Sequence, residues 1–202
     1  MTTGQIERRS TVSTAVGDVV RVLAGIAIPV GSLLYGLVAT ALLSLVLLGA
    51  VIPRAVGLKG PLDPLVGLVL SAAAWIALLD LYAQLSWLDL AVHLVATAVL
   101  TVLAYAVLVF LGALPSPGPL LDGLGGRPTR SVMDGLSRPR LGAVVTATAL
   151  GALLALLWEV GEWAGTTFVD PAIDVGYLDT LGDLVAGGIG ALAAGVLLVR
   201  GS

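Results

Sequence analysis

Trp158-Glu159-Val160-Gly161-Glu162-Trp163 and, a little further on, Tyr177-Leu178-Asp179-Thr180-Leu181-Gly182-Asp183 decide how this chain is read. Both set carboxylates inside segments otherwise apolar enough to cross a bilayer. A charge near the centre of a membrane helix costs about 2.5–3.5 kcal/mol on insertion scales, so an intramembrane acid marks a functional site by default. Asp89-Leu90-Ala91-Val92-His93 repeats the pattern with the chain's only histidine.

The whole composition fits. The chain is 58% hydrophobic and 11% charged, with a mean hydropathy of +1.06. Soluble domains carry about 25% charged residues, so the fold class expected is an all-α, polytopic transmembrane bundle. The absence of Cys excludes disulfides, thiolate metal sites and cysteine nucleophiles. No basic patch suits a nucleic acid. The polar start, MTTGQIERRSTVSTAVGD, lacks the apolar core and cleavage site of a secretory signal.

A crossing takes roughly 20 residues. The apolar run 19–52 is longer than one crossing and shorter than two, and Pro29-Val30-Gly31 interrupts it. That spacing predicts a polar N-terminus and interfacial lead-in over 1–30, with Asp18 and Arg21 near the headgroups, and a first span at 31–52. Further spans follow at 65–85, 88–111, 141–163 and 178–200, giving about five within a bundle over 31–202, or six if the lead-in inserts. Residues 112–140, rich in Pro, Gly and Arg, form one long and mobile loop. The small residues of 186–195 permit close helix approach and offer a face for an oligomer.

Five spans sort the loops onto two faces. Arg54, Lys59, Arg127, Arg130, Arg138, Arg140 and Arg200 share one, and Arg8, Arg9 and Arg21 the other. The first face is then cytoplasmic by the positive-inside rule. Trp87, Trp163, Tyr82 and Tyr177 make an aromatic belt on the opposite, extracytoplasmic side. Arg8 and Arg9 run against this orientation.

Residues three or four apart share a helix face. Asp89 and His93, Glu159 and Glu162, and Asp179 and Asp183 are therefore three pairs. Topology puts all of them near one membrane surface, with Asp80 as a possible seventh member. Neither tight connection on that side has a Lys or Arg to balance the acids. Bound cations, protonation with hydrogen bonding, or exposure to water would each resolve the imbalance. Asp89 and Asp179 also suit helix first turns, where the dipole favours acids. Glu159 and Glu162 stand at the unfavourable end. A lone histidine is more often a satisfied core residue, and only the convergence of three pairs argues for a site. Oxygen-rich donors with one imidazole suit Mg, Mn, Ca or Fe more than Zn.

Asp89-x3-His93, Glu159-x2-Glu162-Trp163 and Asp179-Thr180-x2-Asp183 followed by Gly190-Ala191 resemble the YjdF-like family of bacterial membrane proteins over roughly residues 65–200. More distantly they are similar to VanZ-like proteins, associated with glycopeptide-antibiotic resistance. VanZ-like chains usually carry Lys where Leu90 stands, often Gln at Glu162 and Asn at Asp183. The YjdF-like resemblance implies a fold and a site, without a reaction.

Two functions suit these residues. One is a metal-dependent hydrolase or transferase acting on a lipid-linked substrate. Its metal would sit on Glu159, Glu162, Asp179 and Asp183, with Asp89 ligating or orienting and His93 as ligand or general acid/base. The other is a cation- or proton-coupled transporter using the same acids as a relay. An accessory subunit whose acids meet a partner's arginines is a third, structural reading.

Overall fold

The apolar run that begins the chain is helical at every residue but one. In the computed structural model, which describes residues 3–58, 60–122, 124, 138–171 and 176–200 (side chains of 3–10 excepted), α1 spans Thr3–Ala55 with a break at Gly36. Gly36 has φ 78° and ψ −155°, a region that only glycine enters readily. The chain reverses there. Arg21 Nη1 donates to the Ala50 carbonyl at 3.1 Å, and the Ser32 and Thr40 hydroxyls meet at 2.6 Å. In an unbroken helix residues 21 and 50 would lie roughly 43 Å apart. α1 is thus a helical hairpin whose arms, 11–35 and 37–55, are roughly 37 and 28 Å long at 1.5 Å per residue.

The break expected at Pro29-Val30-Gly31 is absent, for two reasons. Proline inside a membrane helix is tolerated because neighbouring groups re-satisfy the freed backbone. Gly31 serves instead as the bare spot against which Leu43 of the second arm packs. Residues 19–28, expected ahead of the first span, form the body of the first arm. There Ala24 is buried with Leu43 and Val46, and with Ala74 of α2 (Leu62–Leu78). Asp80, with a left-handed backbone at φ 53°, closes α2 earlier than expected, and the single turn α3 (Leu81–Gln84) follows. Asp tolerates that conformation through its short polar side chain.

A charged junction ties this first unit, residues 1–85, together. Arg21 donates to both oxygens of Asp63 at 2.7 and 3.2 Å, to Asp18 at 2.8 Å and to the Ala50 carbonyl. Asp63 is 3% exposed, and Gly17 leaves it room that any side chain would fill. Arg21, expected at the headgroups, turns inward. Removing one partner of a buried pair costs about 3–5 kcal/mol, because the other charge is stranded. Arg21→Ala should lower the detergent melting temperature accordingly, and Arg21→Ala with Asp63→Ala should recover much of the loss. A double variant no more stable than the single one would show that Asp63 is not stranded.

The second unit, 86–202, holds α4 (Ser86–Phe110), α5 (Pro139–Phe168) and α6 (Tyr177–Val199). Packing pairs fix its directions. Gly195 faces Val144, Ala191 faces Gly151, and Gly187 faces Ala155, so α5 and α6 are antiparallel. Gly182 against Leu90 and Gly187 against Thr97 make α4 and α6 parallel. Gly190 lies on the Leu94 carbonyl with no space for a Cβ. The small-residue face of 186–195, read as permitting close helix approach and offering a face for an oligomer, makes its close approach inside the unit: Ala186, Gly187, Gly190, Ala191, Ala194 and Gly195 are all buried.

Ser116 donates to Asp122 at 2.8 Å, and Leu121 is fully buried. Residues 123 and 125–137 of the loop expected at 112–140 lie outside the described residues. Among the described residues, four helices are long and apolar enough to cross a membrane, the folded-back α1 among them, and α2 is a shorter apolar helix.

Candidate metal centre

Each pair stands a similar distance from its helix end. His93 is roughly 10 Å into α4, Asp183 roughly 9 Å into α6, and Glu159 roughly 14 Å short of the end of α5, which continues past the expected stop at Trp163 to Phe168. With α4 and α6 parallel and α5 antiparallel, all three arrive in one layer.

There the His93 ring lies between carboxylates from three helices. Nε2 is 3.5 Å from Asp89 Oδ1 and 3.9 Å from Asp183 Oδ1, while Nδ1 is 3.6 Å from Glu159 Oε1. Two groups share the ring: Asp89, His93 and Asp183, and His93, Glu159 and Glu162. Within each, donor atoms lie within 4.8 Å of one another. His93, Glu159 and Asp183 are 9%, 6% and 2% exposed. Among the described residues, Glu159 Oε1 and Asp183 Oδ1 are buried with no hydrogen-bond partner. An unsatisfied buried acceptor costs about 1–3 kcal/mol, and more when charged.

The donor set fits a cation. Two oxygens each about 2.4 Å from a calcium-sized ion lie roughly 3.4 Å apart when adjacent and 4.8 Å when opposite. The distances around His93 fall in that interval and exceed those of good hydrogen bonds. Charge points the same way. Four carboxylates face one imidazole, and the helices of this unit carry only Arg140, 19 residues before Glu159 and roughly 28 Å away along α5.

Not every expected residue joins in. Asp179 lies on the exposed first turn of α6, outside both groups, and Asp80 is exposed in the first unit. Two further residues support the acids. Thr180 of α6 lies beside Glu159, and the Trp158 side chain beside Glu162. Thr180 precedes Asp183 by three, so its face was legible. A stripe at spacing four also escaped the sequence reading: Asp89, His93, Thr97, Thr101 and Tyr105, the last four buried along α4.

These features define a multi-span helical membrane protein, embedded in the lipid bilayer, with buried acid–histidine groups able to hold a metal. The chain belongs to the family described as predicted membrane protein (DUF2238), whose family model matches residues 13–201. The YjdF-like resemblance fits this family, and the match extends it to the N-terminal hairpin that the motifs left out. No curated protein and no solved structure matches the chain.

Proposed function

We propose that Asp89, His93 Nε2 and Asp183 hold a divalent cation, with Glu159 and Glu162 orienting the imidazole from its Nδ1 side, and that the protein is a metal-dependent hydrolase or transferase acting on a lipid-linked substrate. The observation that carries this is the pair of buried oxygens on Glu159 and Asp183, which lack any hydrogen-bond partner and converge with Asp89 on one imidazole. Such an ion polarises a phosphoryl or acyl oxygen. The chain's own residues would do the rest. Thr180 and Trp158, beside the glutamates, would help to position them, His93 would hold or move a proton at the ring nitrogen left free, and half-buried Asp89 would be the ligand nearest an incoming headgroup. Magnesium, manganese, calcium and iron suit the oxygen-rich set, and zinc less so.

The hairpin at Gly36 supports a location. If the two arms, the shorter α2 and the three later long helices each cross once, the six crossings bring the chain back to the face on which it started. Nine of the ten Lys and Arg then fall on that face, Arg8 and Arg9 included, and the tenth, Arg21, lies within the first arm. The positive-inside rule makes it cytoplasmic and puts the cluster at the extracytoplasmic leaflet, in our reading of a bacterial plasma membrane. Trp87, Trp163 and Tyr177, all well exposed, suit the headgroup belt on that side. The distant VanZ-like likeness rests on the same three pairs and belongs to this proposal.

Transport draws less support. Thr97 and Thr101 continue the polar stripe below His93, but the Thr101 hydroxyl donates to the Thr97 carbonyl at 2.7 Å and Gly151 packs directly on it. That makes a dry packing seam. An accessory role would need a partner's cation where the buried acids already face His93.

Metal analysis of purified protein tests the proposal. Wild type should carry about one divalent ion per chain, and Glu159→Gln should weaken its retention roughly 10- to 100-fold, as loss of a ligand-orienting group does. Wild type without bound or rebound metal ends the reading.

A further inference from the structure

Beside the cluster, along the seam of α4 and α6, runs a shallow, open groove of about 550 Å³ with no polar lining. Its floor is Ala91, Gly182 and Ala186, and Leu94, Val185 and Ile189 rise at its sides, each well exposed. The two helices are parallel, so the groove follows the direction of the crossing. From residue 181 to 189 it covers roughly 12 Å. Leu90, at its upper end, directly follows Asp89, and Gly182 directly precedes Asp183.

We propose that this groove seats one hydrocarbon chain of a phosphate-headed lipid whose headgroup reaches the Asp89–Asp183 side of the cluster. This deepens the metal-dependent reading and rests on it for the head, since a phosphate brought beside four carboxylates needs a cation between them. It rests on the groove alone for the chain. Three observations commit the occupant to lipid. The groove lies within helices long and apolar enough to cross the membrane, so its surroundings are hydrocarbon. Its lining offers nothing to a polar ligand. Its small floor residues make a depression, where leucines in their place would make a convex surface.

Native mass spectrometry from mixed micelles of phosphatidic acid and phosphatidylcholine gives the test. Wild type should retain phosphatidic acid in preference, and Val185→Trp, which fills the groove from an exposed position, should cut that retention at least fivefold with metal content unchanged. Ala91→Leu fills the floor and provides a second variant should the first fold poorly. Inorganic phosphate should compete with the lipid only at far higher concentration, which separates a bound chain from a bound ion. Equal retention by wild type and both fillings overturns the groove. If wild type binds no metal and the two fillings still cut lipid retention, the groove stands and the metal reading falls instead.

Discussion

Asp183→Asn is expected to strip the protein of its divalent ion, taking metal content below about a tenth of wild type. Asp183 is the most buried acid of the cluster at 2% exposure, and its Oδ1 lacks a hydrogen-bond partner while facing His93 Nε2 at 3.9 Å. The amide keeps the shape and removes the charge, and ligand charge is a main determinant of affinity for hard cations. Asp179→Asn is the control. That carboxylate sits four residues earlier on the same helix, yet it is exposed and outside both donor groups, so metal content should be unchanged. Elemental analysis of the two variants beside wild type reads the difference directly. Equal loss in both would mean that bulk negative charge attracts the ion, with no defined coordination.

Gly190→Val should be the most disruptive single change in the second unit. A Cβ at Gly190 would meet the Leu94 carbonyl, a backbone atom that cannot rotate away, so α4 and α6 must separate. Overpacking costs about 1–3 kcal/mol where side chains can adjust, and this site stands at or above the upper end. At roughly 2–4 °C per kcal/mol for a chain of this length, the melting temperature should fall by about 6–12 °C. Because that seam carries Asp89 and His93 on one side and Asp183 on the other, metal retention should fall with it. Gly188→Ala makes a sharp contrast. A Cβ there meets nothing within 4 Å, and replacing glycine inside a helix gains about 0.5–1 kcal/mol. If both substitutions lower stability alike, α4 and α6 do not approach as closely as Gly190 requires.

Much of this was legible in the sequence because the bilayer permits few solutions. Helices must satisfy their own backbones, so apolar runs of the right length gave α4, α5 and α6 to within a few residues. The three pairs were legible because spacing three or four fixes a face. Depth was not. Asp179 and Asp183 share a face, but one turn separates a solvated first-turn acid from a buried one. The Gly36 reversal was hidden by a stronger-looking breaker, Pro29-Val30-Gly31, since nothing local says which glycine must take a positive φ. The small residues of 186–195 showed a close approach, but a stripe cannot say whether its partner is another helix of the same chain or of a second copy. Here Leu94, Thr97, Val144 and Ala155 are the partners.

The Arg21 junction has a consequence for biogenesis. Its guanidinium finds Asp18 at once and the Ala50 carbonyl when the hairpin closes, but Asp63, its most buried partner, is synthesised 42 residues later. During translation the two arms of α1 must therefore wait at the translocon, holding a cation without its principal counterion, until α2 emerges. The first unit should insert as a block of three helical segments, and a nascent chain halted before residue 63 should remain extractable by alkali where one halted after residue 78 does not.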